Sequence, residues 1–183
     1  TKVPIKLIQS SKFIILENVR LIFLFILISI KIVYSQSQLP VNDSVQNFLF
    51  AKSKFNNPIL ITVNGVYEYK SKWEYSPLID DSFKKQIKEI DELNHANFFT
   101  KIVRNDLYII SNGAGPVFKK SGNNFIRIDN STLHKNQFGG ARFVYNDKVH
   151  IYGGYGFWSF KNFITFFDEN IKQWDILYNN SKY

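Results

Sequence analysis

The side chains that most often do chemistry are sparse in this sequence of 183 residues. Cysteine is absent, which excludes disulfides, thiolate metal sites and cysteine nucleophiles within the chain. The three histidines, His95, His134 and His150, share no spacing typical of metal ligands. We therefore predict no catalytic residue, no metal site and no cofactor within this chain.

Several residues that could be mistaken for a site are better explained by structure. His150 falls inside a predicted strand, which favours a packed histidine, and His134 lies in a long polar connection. Asp106 and Asp147 each follow an Asn, and Asn-Asp is typical of tight turns. The glycine-rich runs 113–115 and 153–156 resemble dinucleotide-binding loops, but no predicted helix follows either of them.

One aromatic loop is the candidate ligand-contact surface, and its residues are Tyr155, Phe157, Trp158 and Phe160. Aromatic loops can bind a peptide or a sugar, because the rings are apolar and some carry a polar tip. The alternative, which the sequence favours, is that Trp158 packs between two sheets.

The charge of the chain does not predict a nucleic-acid partner. The formal net charge is +8, from 23 basic and 15 acidic residues. The first 35 residues contain five basic residues and one acidic residue, so the remainder carries only +4. Those remaining basic residues are scattered, whereas nucleic-acid binding requires a concentrated basic face. We expect a protein or carbohydrate ligand instead.

The N-terminal 35 residues are typical of a targeting segment. Leu21–Ile30 is an apolar run of ten residues between Arg20 and Lys31, shorter than a membrane span requires. Small residues then place a cleavage site before Gln36. We predict a signal peptide over 1–35 and export of the protein. Two alternatives stay open: an uncleaved signal anchor, which would be the only membrane contact, and a buried helix.

From residue 36 onward the pattern predicts an all-β protein of short strands separated by turns. One stretch, 82–93, is typical of a helix, because Phe83, Ile87, Ile90 and Leu93 recur on one face. Asp81 or Ser82 is the expected N-cap. The alternative is a long surface loop.

An internal repeat is the most informative pattern. Asp106 aligns with Asp147 at an offset of 41, which pairs two strand–turn–strand units, each followed by glycines. Large aromatic residues, Trp73, Phe125 and Trp174, recur 52 and 49 residues apart. This period is typical of a β-propeller built from four-stranded blades. We predict two to three blades, at about 47–78, 98–129 and 139–178.

The last unit resembles a Kelch repeat. The matching features are an apolar strand, the diglycine Gly153-Gly154, and Asp168 six residues before Trp174, although Phe167 replaces the more usual Tyr. The preceding unit is more loosely similar, and it supplies Gly113, Gly115 and Phe125 for the same motif.

The resemblance implies an exported Kelch-repeat propeller that acts as a protein- or glycan-binding module. The alternative that it implies is the N-terminal part of a secreted carbohydrate-active or galactose-oxidase-like enzyme, with its catalytic residues outside this chain. Kelch-like propellers commonly close with six or seven blades, and the sequence contains no Met. We therefore expect the first part of a longer protein, whose isolated 36–183 portion is poorly soluble or oligomeric.

Overall fold

A computed structural model describes residues 21–22, 39–40, 47–131 and 136–177. The chain divides into two compact units, Thr1–Leu39 and Pro40–Tyr183, and the sheets described below belong to the second. In the first unit Leu21 and Ile22 are helical; the rest of the predicted targeting segment and its cleavage site lie outside the described residues. No helix in the described ranges is long and apolar enough to cross a membrane.

Three four-stranded antiparallel sheets make up most of the second unit, as the sequence predicts for an all-β chain. Sheet 1 contains β1 (Phe48–Lys52), β2 (Pro58–Thr62), β3 (Gly65–Tyr69) and β4 (Trp73–Pro77). Sheet 2 contains β5 (Phe98–Val103), β6 (Asp106–Ser111), β7 (Val117–Ser121) and β8 (Asn124–Arg127). In both sheets each strand pairs with the next one along the chain.

Sheet 3 follows the same plan with one insertion. Its strands are β9 (Ala141–Tyr145), β10 (Lys148–Tyr152), β13 (Ile164–Asp168) and β14 (Gln173–Leu177). Between β10 and β13 the chain forms a separate two-stranded hairpin, β11 (Tyr155–Gly156) and β12 (Ser159–Phe160).

A helix, α1 (Ser82–Ile90), connects sheet 1 to sheet 2, as the spacing of its apolar residues predicts, but it ends at Ile90 and leaves Leu93 in the connection that follows. Phe83, Ile87 and Leu93 are almost fully buried, and the ring of Phe83 contacts that of Phe125 at 4.9 Å between centroids. Asp81 is the N-cap residue, but its side chain makes no capping hydrogen bond. Packing of one apolar face therefore holds the helix in place.

The three sheets pack face to face, with sheet 2 in the middle. One core cluster joins sheet 1, α1 and sheet 2, and a second joins sheet 2 and sheet 3. The first strands of the sheets also contact one another, β1 with β5 and β5 with β9. A hydrogen bond from Thr100 Oγ1 to the Phe50 carbonyl, at 3.0 Å, links two of them. Sheet 2 consequently buries both of its faces.

The repeat is real in the described residues, but the predicted offset of 41 between sheets 2 and 3 is wrong by one residue. The two-residue turns are Arg104-Asn105 and Asn146-Asp147, all four with positive φ, so the offset is 42. A shift of one residue exchanges the two faces of a strand. Ile109 therefore corresponds to Ile151, and both side chains face the preceding sheet.

The recurring large aromatic residue occupies one equivalent position in all three sheets. Trp73 pairs with Tyr69, Phe125 with Lys120, and Trp174 with Phe167. Phe125 and Trp174 lie on the face that packs on the preceding sheet, which we call the leading face, and Trp73 lies on the equivalent face of sheet 1. The opposite face of each sheet is the trailing face. The strand pairing thus keeps the large aromatic residue at the same position in each sheet, although the turns between the third and fourth strands differ in length.

Candidate functional site

The aromatic loop singled out in the sequence forms the inserted hairpin β11–β12. Its two turn residues, Phe157 and Trp158, have φ values of 47° and 60°. Two-residue hairpin turns with both residues in the left-handed region normally contain Asn, Asp or Gly. Bulky side chains are rare there, and such conformations concentrate at functional sites.

The side chains of this hairpin are strongly exposed. Trp158 is 93% exposed, Phe160 86% and Phe157 69%, and Tyr155 is half-exposed. The expectation that Trp158 packs between sheets is therefore wrong. The physical reason is the two-residue turn, which carries its side chains beyond the last paired residues of the hairpin.

The base of the hairpin is fixed by hydrogen bonds to a neighbouring segment. The amides of Phe138 and Tyr155 each donate to the other residue's carbonyl at 2.9 Å. The buried Gln137 side chain donates from Nε2 to the Gly153 carbonyl at 3.0 Å. Its Oε1 accepts from Thr165 Oγ1 at 2.5 Å. The aromatic tip is therefore presented by a rigid base.

Two glycines permit this close packing. A Cβ at Gly156 would lie 2.4 Å from the Asn136 carbonyl oxygen. At Gly154, where φ is +93°, it would lie 2.8 Å from backbone atoms of Gln137. Both contacts involve backbone that cannot rotate away, so the base requires glycine at these positions.

The hairpin surface is aromatic with a single cation. Tyr155 and Phe160 make an edge-to-face contact at 5.3 Å between ring centroids. The Lys161 ammonium lies 5.9 Å from the Phe157 ring and donates to Ser159 Oγ at 2.7 Å. No acidic residue occurs in the segment 153–162. The surface suits an apolar or weakly acidic partner.

A second cluster of chemistry-bearing residues lies between sheets 2 and 3, around a cavity of about 130 Å³. Lys119 lies 2.9 Å from Asp106 and 3.7 Å from Glu169, and Glu169 also accepts a short hydrogen bond from the Tyr108 hydroxyl. Asp106, Tyr108 and Lys119 all belong to sheet 2, where Tyr108 and Lys119 are paired across β6 and β7, and only Glu169 comes from sheet 3. The approach of Glu169 could be found only from the packing of the two sheets.

The protonation of this cluster indicates a structural role. Burial, together with the hydrogen bond to Glu169, raises the pKa of Tyr108 to about 12. The pKa of Lys119 is also raised, mainly by its hydrogen bond to Asp106. Both groups hold their protons firmly at neutral pH, whereas an acid–base catalyst needs a pKa near the working pH. The cluster joins the sheets through the ion pair of Lys119 with Glu169 and the hydrogen bond from Tyr108 to Glu169.

His95 and His150 have separate partners. His150 is buried, stacks on Phe143 at 5.2 Å between ring centroids, and donates from Nδ1 to the Lys148 carbonyl. It is a packed strand histidine, as predicted. His95 accepts a hydrogen bond from the Phe50 amide, and His134 lies outside the described residues. No group of possible metal ligands occurs within 47–131 or 136–177.

The residues of the repeat motif lie at turns and contacts between sheets. Gly113, Gly153 and Gly154 all have positive φ at the ends of the second strands of sheets 2 and 3. Trp174 Nε1 donates to the Gly115 carbonyl at 2.9 Å, which links sheet 3 to sheet 2.

Asp168 and Asp147, which the sequence also singled out, form ion pairs. Asp168 accepts from Lys148 Nζ at 2.7 Å and from the Asn170 amide, and the Lys148 contact lowers its pKa. Asp147 lies 2.8 Å from Arg104, the first residue of the equivalent turn in sheet 2.

Comparison with known proteins adds no relative: no family model matches the chain, and no curated protein is similar to it.

Proposed function

We propose that this chain is part of an exported Kelch-like propeller that serves as a recognition module, and that it binds a protein partner through the hairpin 155–160. The observation that carries the binding surface is Trp158, 93% exposed at the tip of a hairpin whose base is hydrogen-bonded to the segment that contains Gln137 and Phe138. Exposed tryptophan is costly to solvate and is among the residues that dominate protein interfaces.

The propeller part of the proposal is supported by three features of the described chain. Three four-stranded antiparallel sheets follow one another, their first strands are in contact, and an equivalent large aromatic lies on each leading face. The Kelch resemblance adds the diglycine Gly153-Gly154 and the pair Asp168 and Trp174.

A protein partner is favoured over a glycan by the shape of the surface. The hairpin projects, whereas sites for small ligands are concave. A projecting aromatic side chain suits insertion into a pocket of a folded partner, where it would be fully desolvated. The tip has an apolar centre, and Lys161 lies at its edge.

The test begins with a photocrosslinking residue in place of Phe160 in the full chain, used to identify the partner, which is then produced and its Kd measured. We expect Trp158→Ser to weaken that Kd by roughly thirtyfold or more, as for a residue that dominates an interface. Phe55→Ser is the matched control, because Phe55 is 72% exposed and lies in the connection between β1 and β2 rather than in the hairpin.

A glycan array probed with the unmodified chain, Trp158→Ser and Phe55→Ser distinguishes a glycan ligand from a protein partner. Array binding that Trp158→Ser removes, without a protein partner, would replace the protein proposal by a glycan one. An unchanged Kd for Trp158→Ser would contradict the assignment of the hairpin as the contact surface.

A further inference from the structure

Two cationic side chains face each other where sheets 2 and 3 pack. Lys101 lies between Phe99 and Val103 on the trailing face of sheet 2, since these two neighbours belong to the core that joins the sheets. Arg142 lies on the leading face of sheet 3, because it is paired with Ile151 of the same core. Both cationic side chains are half-buried.

The ring of Phe99 brings the two cations close together. The Arg142 guanidinium lies 4.5 Å from the centre of this ring. Phe99 and Lys101 are two residues apart on one face of β5, so their Cα atoms are separated by about 6.6 Å. A guanidinium stacked on a ring keeps the N–H donors along its edge available for a ligand. Such a ligand would lie beside Lys101.

Neither cation has a counter-ion within the part of the chain that the structure describes. Lys101 and Arg142 form no ion pair with a described residue, and their side chains make no hydrogen bond to one. Several other cations of sheets 2 and 3 do pair with a carboxylate, namely Arg104, Lys119, Arg127 and Lys148. Charges that are withdrawn from water normally have such a partner.

The electrostatic environment of this pair is unfavourable for both charges. Burial and the nearby charge of Arg142 lower the pKa of Lys101, and burial lowers the pKa of Arg142. Both shifts mean that the charged forms are destabilised relative to water. An anion that contacts both cations would offset this cost.

The interface between sheets 1 and 2 shows that the packing itself does not require charges at these positions. By strand pairing, the equivalent of Lys101 is Ala51 and the equivalent of Arg142 is Thr100. There, Thr100 Oγ1 donates to the Phe50 carbonyl at 3.0 Å and joins the two first strands directly. Between sheets 2 and 3, an oxyanion that accepts from both cations would replace that hydrogen bond.

We propose that Lys101 and Arg142 bind a small dianionic oxyanion, sulfate or phosphate, where β5 and β9 are in contact. Two unit positive charges match a dianion. The planar guanidinium can donate two parallel hydrogen bonds to its oxygens, and the ammonium can donate a third. The bound ion would link sheet 2 to sheet 3, and the site does not depend on what the hairpin binds.

The test uses sulfate as the probe, titrated into the full chain by calorimetry at an ionic strength held constant with chloride. We expect saturable binding at one site, with inorganic phosphate as a competitor. Lys101→Gln and Arg142→Gln should each weaken the sulfate Kd by about tenfold or more, because each removes a charge-assisted hydrogen bond. Lys52→Gln is the matched control, since Lys52 is an exposed lysine of another first strand, and it should leave the Kd unchanged.

Urea unfolding gives a second readout and checks that the variants fold. In chloride alone, Lys101→Gln should be at least as stable as the unmodified chain, because it removes the repulsion between two like charges. Sulfate should stabilise the unmodified chain more than it stabilises Lys101→Gln, since only the former has the complete site.

Three results would overturn the proposal. The first is the absence of saturable sulfate binding to the unmodified chain. The second is a sulfate Kd that neither glutamine variant changes. The third is acetate binding as tightly as sulfate, which would mean that the two cations do not select a dianion.

Discussion

Sheets 2 and 3 have the same strand order and the same register, but they differ in what covers their trailing faces. Ile110 and Val103 of sheet 2 are buried against sheet 3, being 0% and 5% exposed. The equivalent residues of sheet 3 are Tyr152 and Tyr145, which are 50% and 61% exposed. At these two positions aliphatic side chains occupy the covered face, and tyrosines, which have a polar tip, occupy the open one.

The connections that follow the second strands of the two sheets also differ, because the one in sheet 3 is longer. Six residues, 111–116, separate the paired Ile110 and Val117 in sheet 2. Eleven residues, 153–163, separate the paired Tyr152 and Ile164 in sheet 3, and the extra length forms the hairpin. Sheet 2 is thus buried between its two neighbours, whereas sheet 3 exposes its trailing face and the hairpin. The place of each sheet in the packing order, rather than its strand topology, determines this difference.

We expect the largest difference in stability between the two sheets when equivalent residues on their trailing faces are replaced by alanine. Ile110→Ala removes a fully buried side chain between sheets and should lower the free energy of unfolding by about 2–5 kcal/mol. Tyr152→Ala, in a sample dilute enough to be monomeric, should cost less than about 1 kcal/mol. Urea unfolding of both variants measures the difference. Equal losses would mean that the two faces are covered alike.

A smaller difference in stability is expected between alanine substitutions at two glycines with positive φ. Gly154→Ala meets both an unfavourable φ of +93° and the Gln137 backbone, and should cost about 3 kcal/mol or more. Gly122→Ala, in the β7–β8 turn, has a φ of +56° and open space around it, so only the backbone term of about 1–2 kcal/mol applies.

Thermal or urea unfolding of the two glycine variants measures both losses. If Gly122→Ala costs as much as Gly154→Ala, the hairpin base is not tightly packed against the Gln137 backbone.

Much of the fold was predictable, because it depends on local pattern. The helix with Phe83 and Ile87 buried and the short antiparallel strands follow from periodicity and turn residues. The position of the recurring aromatic also followed, since one face of every sheet must receive a large side chain. The offset of 41 failed because Asn-Asp occurs in both units but takes different turn positions, Asn105-Asp106 against Asn146-Asp147.

The sites were less predictable, because they depend on contacts between sheets and on exposure. The sequence identified the aromatic loop but favoured burial of Trp158, since tryptophan is usually buried on average. Nothing in the spacing indicated that Phe157 and Trp158 would occupy the tip of a two-residue turn. The cluster of Tyr108, Lys119 and Glu169 was missed entirely, because Glu169 meets the cross-strand pair of Tyr108 and Lys119 only when sheets 2 and 3 pack.

The smallest expected effect on stability concerns the cluster of Tyr108, Lys119 and Glu169, which lies at the covered trailing face of sheet 2. The folded pKa of Tyr108 is raised to about 12 from an ordinary value of 10.0. Above pH 10 the unfolded chain releases this proton while the folded chain keeps it, so stability should fall from about pH 10 to about pH 12. Lys119, whose pKa is also raised, adds to the loss in the same direction.

Tyr108→Phe should make this alkaline loss of stability shallower without removing it, because Lys119 still titrates. The measurement is the urea midpoint as a function of pH, compared with Tyr145→Phe at the equivalent of Val103 on the open face of sheet 3. Tyr145 is 61% exposed and serves as the matched tyrosine control. An identical profile for Tyr108→Phe and the unmodified chain would show that the covered face does not hold this hydroxyl in its protonated form.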